Sequence, residues 1–210
     1  MISLLIVDDH SMVRAGLRKI LVEEPDMEVI GEADGYAQLL NCLHDKLPDV
    51  ILLDISMPGR NGLEIMKDLK QSYPFIRTIM LSMHPEERFS VRSIKAGASG
   101  YVTKESAADE LVKAIRQVYG GRKFITPAVA EKLASSFELE SNKLAHERLS
   151  DREFQILSLI ASGKKIKDIA DDLSLSPATV ATYRARVLEK MQLKSNVELT
   201  SYVLRNNLIE

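Results

Sequence analysis

Three carboxylates of this sequence stand where short apolar runs end. Asp8 and Asp9 follow residues 2–7, and Asp54 follows residues 50–53. If these ends meet, the acids repel one another unless a hard cation joins them. Mg²⁺ suits such oxygen ligands and keeps waters or phosphoryl oxygens in its remaining positions. A carboxylate beside that cation can act as a nucleophile on phosphorus. Two further run ends carry the other groups that steady a phosphoryl dianion. Ser82 comes directly after the run 76–81 with a hydroxyl, and Lys104 follows the run 100–102 with an ammonium. A lone Asp in such a place is usually a helix cap or a turn residue. The reading rests on all five residues falling at the ends of four different runs.

The elements that must gather them are legible. Residues 2–7, 27–33, 50–53, 76–81 and 100–102 predict strands. Four are near-continuous Ile, Leu, Val and Met, as in strands buried on both faces of a parallel sheet. The run 27–33 alternates instead, with Val29, Gly31 and Ala33 set against Glu28, Ile30 and Glu32. Helical periodicity covers residues 11–23, 36–46, 62–72, 86–96 and 106–119. Five strands alternating with five helices predict an α/β fold, a doubly wound five-stranded parallel sheet. Its ligands belong outside the carboxyl ends of the strands, where the first and third strands commonly lie side by side.

Composition narrows the class. The 210 residues are 45% apolar and 28% charged, with a formal net charge of −2. That describes an ordinary globular chain of one large or two small domains and excludes a basic nucleic-acid coat. The charge is uneven. Residues 148–210 hold 10 Lys+Arg against 8 Asp+Glu, and residues 1–147 hold 18 against 22. This mild asymmetry allows a nucleic-acid partner for the C-terminal part. Cys42 is the only cysteine, so no intrachain disulfide is available, and no Cys/His cluster has zinc spacing. The opening apolar run is too short for a signal-peptide core. No stretch approaches the roughly 20 apolar residues that span a bilayer. A cytoplasmic address with no membrane partner is the expectation.

Beyond residue 120 the pattern changes. Gly120-Gly121 ends the fifth helix, and Thr126-Pro127 can start a short one. Residues 138–147 are polar with little periodicity and read as linker. From Leu149 onward only helices are predicted. Ser150 to Glu153 is a capping box opening a helix to Ala161, and Gly163 closes it. A second helix covers 166–173 and ends in a turn at Ser174-Leu175. Ser176-Pro177 is an N-cap with proline at the first helical position, opening a third helix to Met191. A fourth covers 196–206. Two helices joined by a tight turn inside a four-helix unit make a helix-turn-helix candidate. Leu149, Ile156, Leu157, Ile160, Ile166, Ile169, Ala170, Leu173, Val180 and Val187 supply its core. Thr179, Thr182, Tyr183, Arg184, Arg186 and Lys190 lie on the opposite face of the third helix, as a helix entering a DNA major groove requires. Lys164, Lys165 and Lys167 are read as lying just before the second helix, a natural place for phosphate contacts.

Several segments carry a resemblance. Leu5-Ile-Val-Asp8-Asp9-His10, Leu53-Asp54-Ile-Ser-Met-Pro58-Gly59, Leu81-Ser82 and Gly100-Tyr-Val-Thr-Lys104 are similar to the receiver domain of two-component response regulators. Leu149-Ser-Asp-Arg-Glu153, Ile160-Ala-Ser-Gly163, Lys167-Asp-Ile-Ala170, Leu175-Ser176, Thr179-Val180 and Lys190-Met191 resemble the LuxR-type helix-turn-helix. Together they make the chain look like a NarL/FixJ-family response regulator. The resemblance implies a flavodoxin-like receiver over 1–121, a linker over 122–147 and an all-α four-helix DNA-binding domain over 148–210. It implies that Asp54 accepts a phosphoryl group from a sensor histidine kinase. Asp8, Asp9, Asp54 and the Ser56 backbone carbonyl would bind Mg²⁺, and Lys104 would pair with the phosphoryl group. Ser82 and Tyr101 would be the switch residues that move inward. The partners implied are the kinase, double-stranded DNA and a second copy of the chain, as a homodimer when phosphorylated or on DNA. His10 is read as a helix-start or kinase-docking residue. Three positions depart from the family pattern: Glu105 stands where proline is frequent, Ala181 where lysine is usual, and Tyr183 where histidine is frequent.

Two other readings stay open on sequence alone. One is a metal-dependent phosphohydrolase using an aspartyl-phosphate, although Ser56 stands where such enzymes commonly carry a second acid. The other is an interaction module whose helix-turn-helix, having lost a contact at Ala181, no longer binds DNA.

Overall fold

The computed structural model describes residues 1–83, 86–104, 108–138, 144–206 and 208. They divide into two compact units, Met1–Ala130 and Glu131–Glu210. The first is a parallel sheet of β1 (Ile2–Val7), β2 (Met27–Ala33), β3 (Val50–Asp54), β4 (Arg77–Ser82) and β5 (Gly100–Thr103) in the order β2-β1-β3-β4-β5. Helices α1 (Ser11–Val22), α2 (Tyr36–Asp45), α3 (Gly62–Ser72), α4 (Glu86–Lys95) and α5 (Ala108–Tyr119) alternate with the strands.

The central strands β1 and β3 are almost wholly buried, whereas β2, at the sheet edge, is buried fully only at Met27 and Ala33. This is the physical origin of continuous apolar runs in the centre and alternation at the edge. Leu4, Ile6, Leu52, Ile79, Leu81 and Val102 pack with Leu21 of α1 and with Leu111, Ile115 and Val118 of α5. On the other sheet face, Leu5 and Cys42 of α2 close over Gly31, where a Cβ would come within 2.9 Å of the Leu5 side chain.

Register places the acids. Val7 pairs with Leu53, so Asp8 and Asp54 are the next residues on adjacent strands. Asp54 pairs with Leu81, and Ser82 pairs with Thr103, which Lys104 follows. One sheet edge therefore gathers all five residues. Asp54 and Ser82 are the last residues of their strands, each strand running one residue past its apolar run.

Residues 122–126 were expected to begin the linker, yet Phe124 belongs to the first unit. It forms a parallel bridge to Gly100, accepting from the Tyr101 N–H and donating to the Ser99 carbonyl. Helix α6 (Pro127–Glu138) follows. Of the polar stretch read as linker, residues 139–143 lie outside the described residues, as does Glu105.

The second unit holds a 3₁₀ turn (Ala145–Arg148) and helices α7 (Asp151–Ala161), α8 (Ile166–Asp172), α9 (Pro177–Met191) and α10 (Asn196–Arg205). Its caps form as the local sequence dictates. Ser150 and Glu153 make the reciprocal capping box, and Gly163 takes φ +83° after α7. The Ser176 hydroxyl accepts from Thr179 N–H with Pro177 at the first turn of α9. The turn between α8 and α9 passes through Ser174 at φ 49°. The expected core is buried apart from Ile166, which is half-buried, and Phe154, Met191, Leu199 and Val203 complete it.

Candidate functional site

Asp8 and Asp54 are buried at the carboxyl edge of the sheet, and Asp9 is half-buried. Lys104 reaches into the space between the two buried acids. Its Nζ lies 2.6 Å from Asp8 Oδ2 and 3.0 Å from Asp54 Oδ2. The ammonium is thus ion-paired with both acids at once. Asp54 Oδ1 and Asp9 Oδ1, which do not face the ammonium, have no hydrogen-bond partner. Buried carboxylate oxygens without donors are costly unless a cation meets them. Asp8, Asp9, His10 and Asp54 each offer one ligand atom, all within 4.8 Å of one another. That donor set, three carboxylates and an imidazole, fits a divalent cation.

Burial pushes the Asp54 carboxyl above its ordinary pKa. The Lys104 charge opposes that rise, and the neighbouring Asp8 adds to it. For Lys104, burial alone would lower the ammonium pKa. The Asp54 and Asp8 carboxylates outweigh burial and hold it above its ordinary value.

The remaining expected residues fall around this centre. Ser82 is fully buried at the end of β4, and its carbonyl accepts from the Lys104 N–H at 2.7 Å. Ser56 is half-buried in the loop after β3. Tyr101 is only 2% exposed. This is the side chain expected to act as the second switch residue.

Three positioning contacts escaped sequence reasoning. A Cβ on Gly62 would meet the Asp54 carbonyl oxygen at 2.0 Å, so α3 can begin against β3 only with glycine there. The buried Asn61 side chain caps α3 by accepting from Leu63 and Glu64 N–H. Arg14 of α1 donates to the Asp8 carbonyl and pairs with Glu32 of β2 at 3.4 Å. The Asn61-Gly62 pair is a turn signal in sequence, but nothing local to it names Asp54 as its neighbour.

In the second unit the expected DNA-facing residues divide into two groups. Lys190 binds the buried Glu153 carboxylate at 2.7 Å, Arg184 Nε donates to Asn196 Oδ1 at 2.6 Å, and Lys164 pairs with Asp172 at 2.5 Å. Thr179 is held by the cap, its Oγ1 2.8 Å from Ser176 Oγ. Thr182 donates to the Ala178 carbonyl but is exposed. Tyr183 is half-buried and carries the Arg186 guanidinium 5.8 Å from its ring centroid. Among the described residues, Lys165, Lys167 and Arg186 are exposed and make no ion pair.

Comparison with known proteins agrees with both halves of this geometry. Residues 4–116 match the family model of the response regulator receiver domain, and residues 147–203 match that of bacterial regulatory proteins of the luxR family. The chain is 40% identical to the response regulator GacA of Pseudomonas aeruginosa, over 100% of this chain and 99% of that protein. It is 39% identical to the response regulator UvrY of Escherichia coli K12, over 99% of this chain and 96% of the relative. Among solved structures, it resembles RcsB from Salmonella enterica serovar Typhimurium, bound to the promoter rprA in the presence of the phosphomimetic BeF3⁻. That match has a TM-score of 0.65 and 26% identity, over 97% of this chain and 98% of that one. The chain belongs to the NarL/FixJ family of response regulators, with a receiver domain followed by a LuxR-family helix-turn-helix domain.

Proposed function

We propose that Asp54 is the phosphoacceptor through which a sensor histidine kinase controls DNA binding by the second unit. The observation that carries this is the Asp54 carboxylate: buried, with Oδ2 3.0 Å from the Lys104 ammonium and Oδ1 unpaired. One Asp54 oxygen forms the new bond to phosphorus while the bond to the kinase imidazole nitrogen breaks and its electron pair returns to the ring. Lys104 is placed to leave Asp8 and Asp54 for the new phosphoryl oxygens, and the Ser82 hydroxyl to donate to one of them. The buried Tyr101 fills the space behind that movement.

Asp8, Asp9, Asp54 and the Ser56 backbone carbonyl are the groups that would hold Mg²⁺, and the orphaned Asp54 and Asp9 oxygens fit that role. Mg²⁺ supplies charge neutralisation for the incoming phosphoryl oxygens. The protein catalyses only its own phosphoryl uptake and loss. In this reading residues 122–147, of which Phe124 still bridges to β5, join a receiver over 1–121 to a DNA-binding domain over 148–210, and phosphorylated chains pair as homodimers on double-stranded DNA. Lys165, Lys167, Thr182 and Arg186 present the freest contacts to it. Lys164, Thr179, Tyr183, Arg184 and Lys190 reach DNA only by exchanging or sharing their internal partners. No described helix is long and apolar enough to cross a membrane, which fits work in the cytoplasm.

The decisive experiment incubates the protein with a labelled small phosphodonor and Mg²⁺. The wild type takes up acid-stable, base-labile label and Asp54→Asn takes up none. Label on Asp54→Asn at the wild-type level refutes the assignment. A gel-shift series then tests the second step: phosphorylated protein retards promoter DNA with an affinity that falls steeply as salt rises.

A further inference from the structure

We infer that His10 is a nitrogen ligand of the acidic pocket, so that this pocket accepts late first-row ions such as Ni²⁺ through a contact that Mg²⁺ does not use. The inference rests on the reading of Asp8, Asp9 and Asp54 as a cation site. His10 stands at the N-cap of α1 in extended backbone, yet its side chain makes no cap hydrogen bond. Its backbone N–H donates to Asp8 Oδ1 at 2.8 Å, which turns the ring back toward the acids. Nδ1 then lies 3.0 Å from Asp9 Oδ1 and 3.4 Å from Asp8 Oδ1. Around an ion with bonds of about 2.1 Å, adjacent ligands of an octahedron sit about 3 Å apart. The two observed separations match adjacent ligands, and Asp54 completes a four-atom group within 4.8 Å. The Asp8 and Asp54 Oδ2 atoms are turned to Lys104, while the buried Asp54 Oδ1 has no hydrogen-bond donor.

Ligand chemistry separates the ions. Mg²⁺ is hard and binds oxygen, leaving water where an imidazole stands, whereas Ni²⁺, Cu²⁺ and Zn²⁺ favour imidazole nitrogen. The ring is 62% exposed at the pocket mouth, so an entering ion meets it first. An ion held by all four side chains has fewer positions open for a phosphoryl oxygen, which makes such ions competitors of phosphoryl uptake.

The test titrates full-length, unphosphorylated protein with Mg²⁺ and with Ni²⁺ by calorimetry, in wild type, His10→Ala, His10→Gln and Asp54→Asn. His44→Ala controls for a surface imidazole, since the His44 side chain is 92% exposed. Pulsed electron paramagnetic resonance of one equivalent of Cu²⁺ reads out imidazole nitrogen directly. We expect both His10 variants to weaken Ni²⁺ by at least about tenfold, the lower end of what removing a metal-site partner costs. Mg²⁺ affinity should change less than about twofold, because no oxygen donor is lost. The Cu²⁺ nitrogen modulation should vanish in His10→Ala and persist in His44→Ala. Unchanged Ni²⁺ binding in the His10 variants overturns the inference, and so does an equal loss of Mg²⁺ and Ni²⁺, which would make His10 a brace for the acids. Either result leaves the cation site standing if Asp54→Asn abolishes Mg²⁺ binding. Absence of Mg²⁺ binding in wild type defeats the underlying reading as well.

Discussion

Gly62 and Asp54 lie so close that the backbone of α3 can meet the end of β3 only because Gly62 has no side chain. A Cβ there would stand 2.0 Å from the Asp54 carbonyl oxygen and 2.8 Å from Ile55 Cα, both of them backbone atoms that cannot swing aside. Gly62→Ala should therefore push the Asp54 loop out of place. Overpacking of this kind costs about 1–3 kcal/mol. The urea midpoint and the rate of phosphoryl incorporation should fall together. Gly16→Ala in α1 is the contrast: nothing lies within 4 Å of its Cβ position. It should stabilise by about 0.5–1 kcal/mol and leave phosphoryl uptake alone. Equal effects of the two variants would show that Gly62 is not braced against Asp54.

The pH dependence of stability follows first from the burial of Asp54. The Asp54 carboxyl titrates above its ordinary value in the folded chain because of burial. Between the unfolded and folded pKa values the native state binds the extra proton, so this group's contribution falls as pH rises through that window. Asp54→Asn mimics the protonated form. It should be more stable than wild type at pH 7, with the difference closing as pH falls toward about 4.

Lys104→Met should act in the opposite sense. It leaves Asp8 and Asp54 buried without their cation, a loss of about 3–5 kcal/mol for a broken buried pair. Acid protonates Asp54, whose carboxyl titrates above its ordinary value, so the loss should shrink as pH falls. The folded Lys104 ammonium titrates above its ordinary value, so the stability it adds is complete below the unfolded lysine pKa and is lost only as strongly alkaline pH is reached. Melting curves of both variants and wild type at pH 5 and pH 8 decide the matter. A Lys104→Met loss that grows in acid contradicts the bridge.

Lys190 and Arg186 share a helix but should fail differently. Lys190 neutralises the buried Glu153, which the Ser150 N–H also holds. Lys190 is partly exposed, so Lys190→Ala should cost only about 1 kcal/mol of stability. Arg186 is exposed on α9. Arg186→Ala should leave the melting temperature nearly unchanged while weakening DNA binding and lowering its salt slope by about one if it grips a phosphate. Denaturation measured beside a salt series of binding isotherms separates the two. A stability loss in Arg186→Ala and none in Lys190→Ala would reverse the assignment.

Gln192 ends α9 in the left-handed region, φ 56° and ψ 38°, donating its N–H to the Leu188 and Glu189 carbonyls. Such a position favours glycine, and a side chain there costs about 1 kcal/mol or more. Gln192→Gly should raise the unfolding midpoint, and Gln192→Val should lower it. Calorimetric melting of the two variants is the check.

Most of the fold was legible because it is written in short range. Apolar runs set the strands to within a residue or two, and the Ser150/Glu153 and Ser176/Pro177 pairs set helix starts, since each depends on neighbours three residues away. The strand ends carried Asp8, Asp9, Asp54, Ser82 and Lys104 to one edge because parallel pairing leaves only one place for them. The bridge from Phe124 to Gly100 was not legible, because a single bridging residue has no periodicity to betray it.

Residue types and spacing alone thus determined the elements, their order and which charged groups meet at the carboxyl edge. Only the tertiary structure decided which charges remain available for a partner. The periodicity of α9 put Lys190, Arg184 and Arg186 outside the core, but it could not foresee that Glu153, 37 positions earlier, waits for Lys190. Nor could it show that Asn196 takes Arg184, or that Asp54 leans on Gly62. A helix face is a local property of the chain. A partner brought in from another element is not, because its position is set by the packing of everything between them.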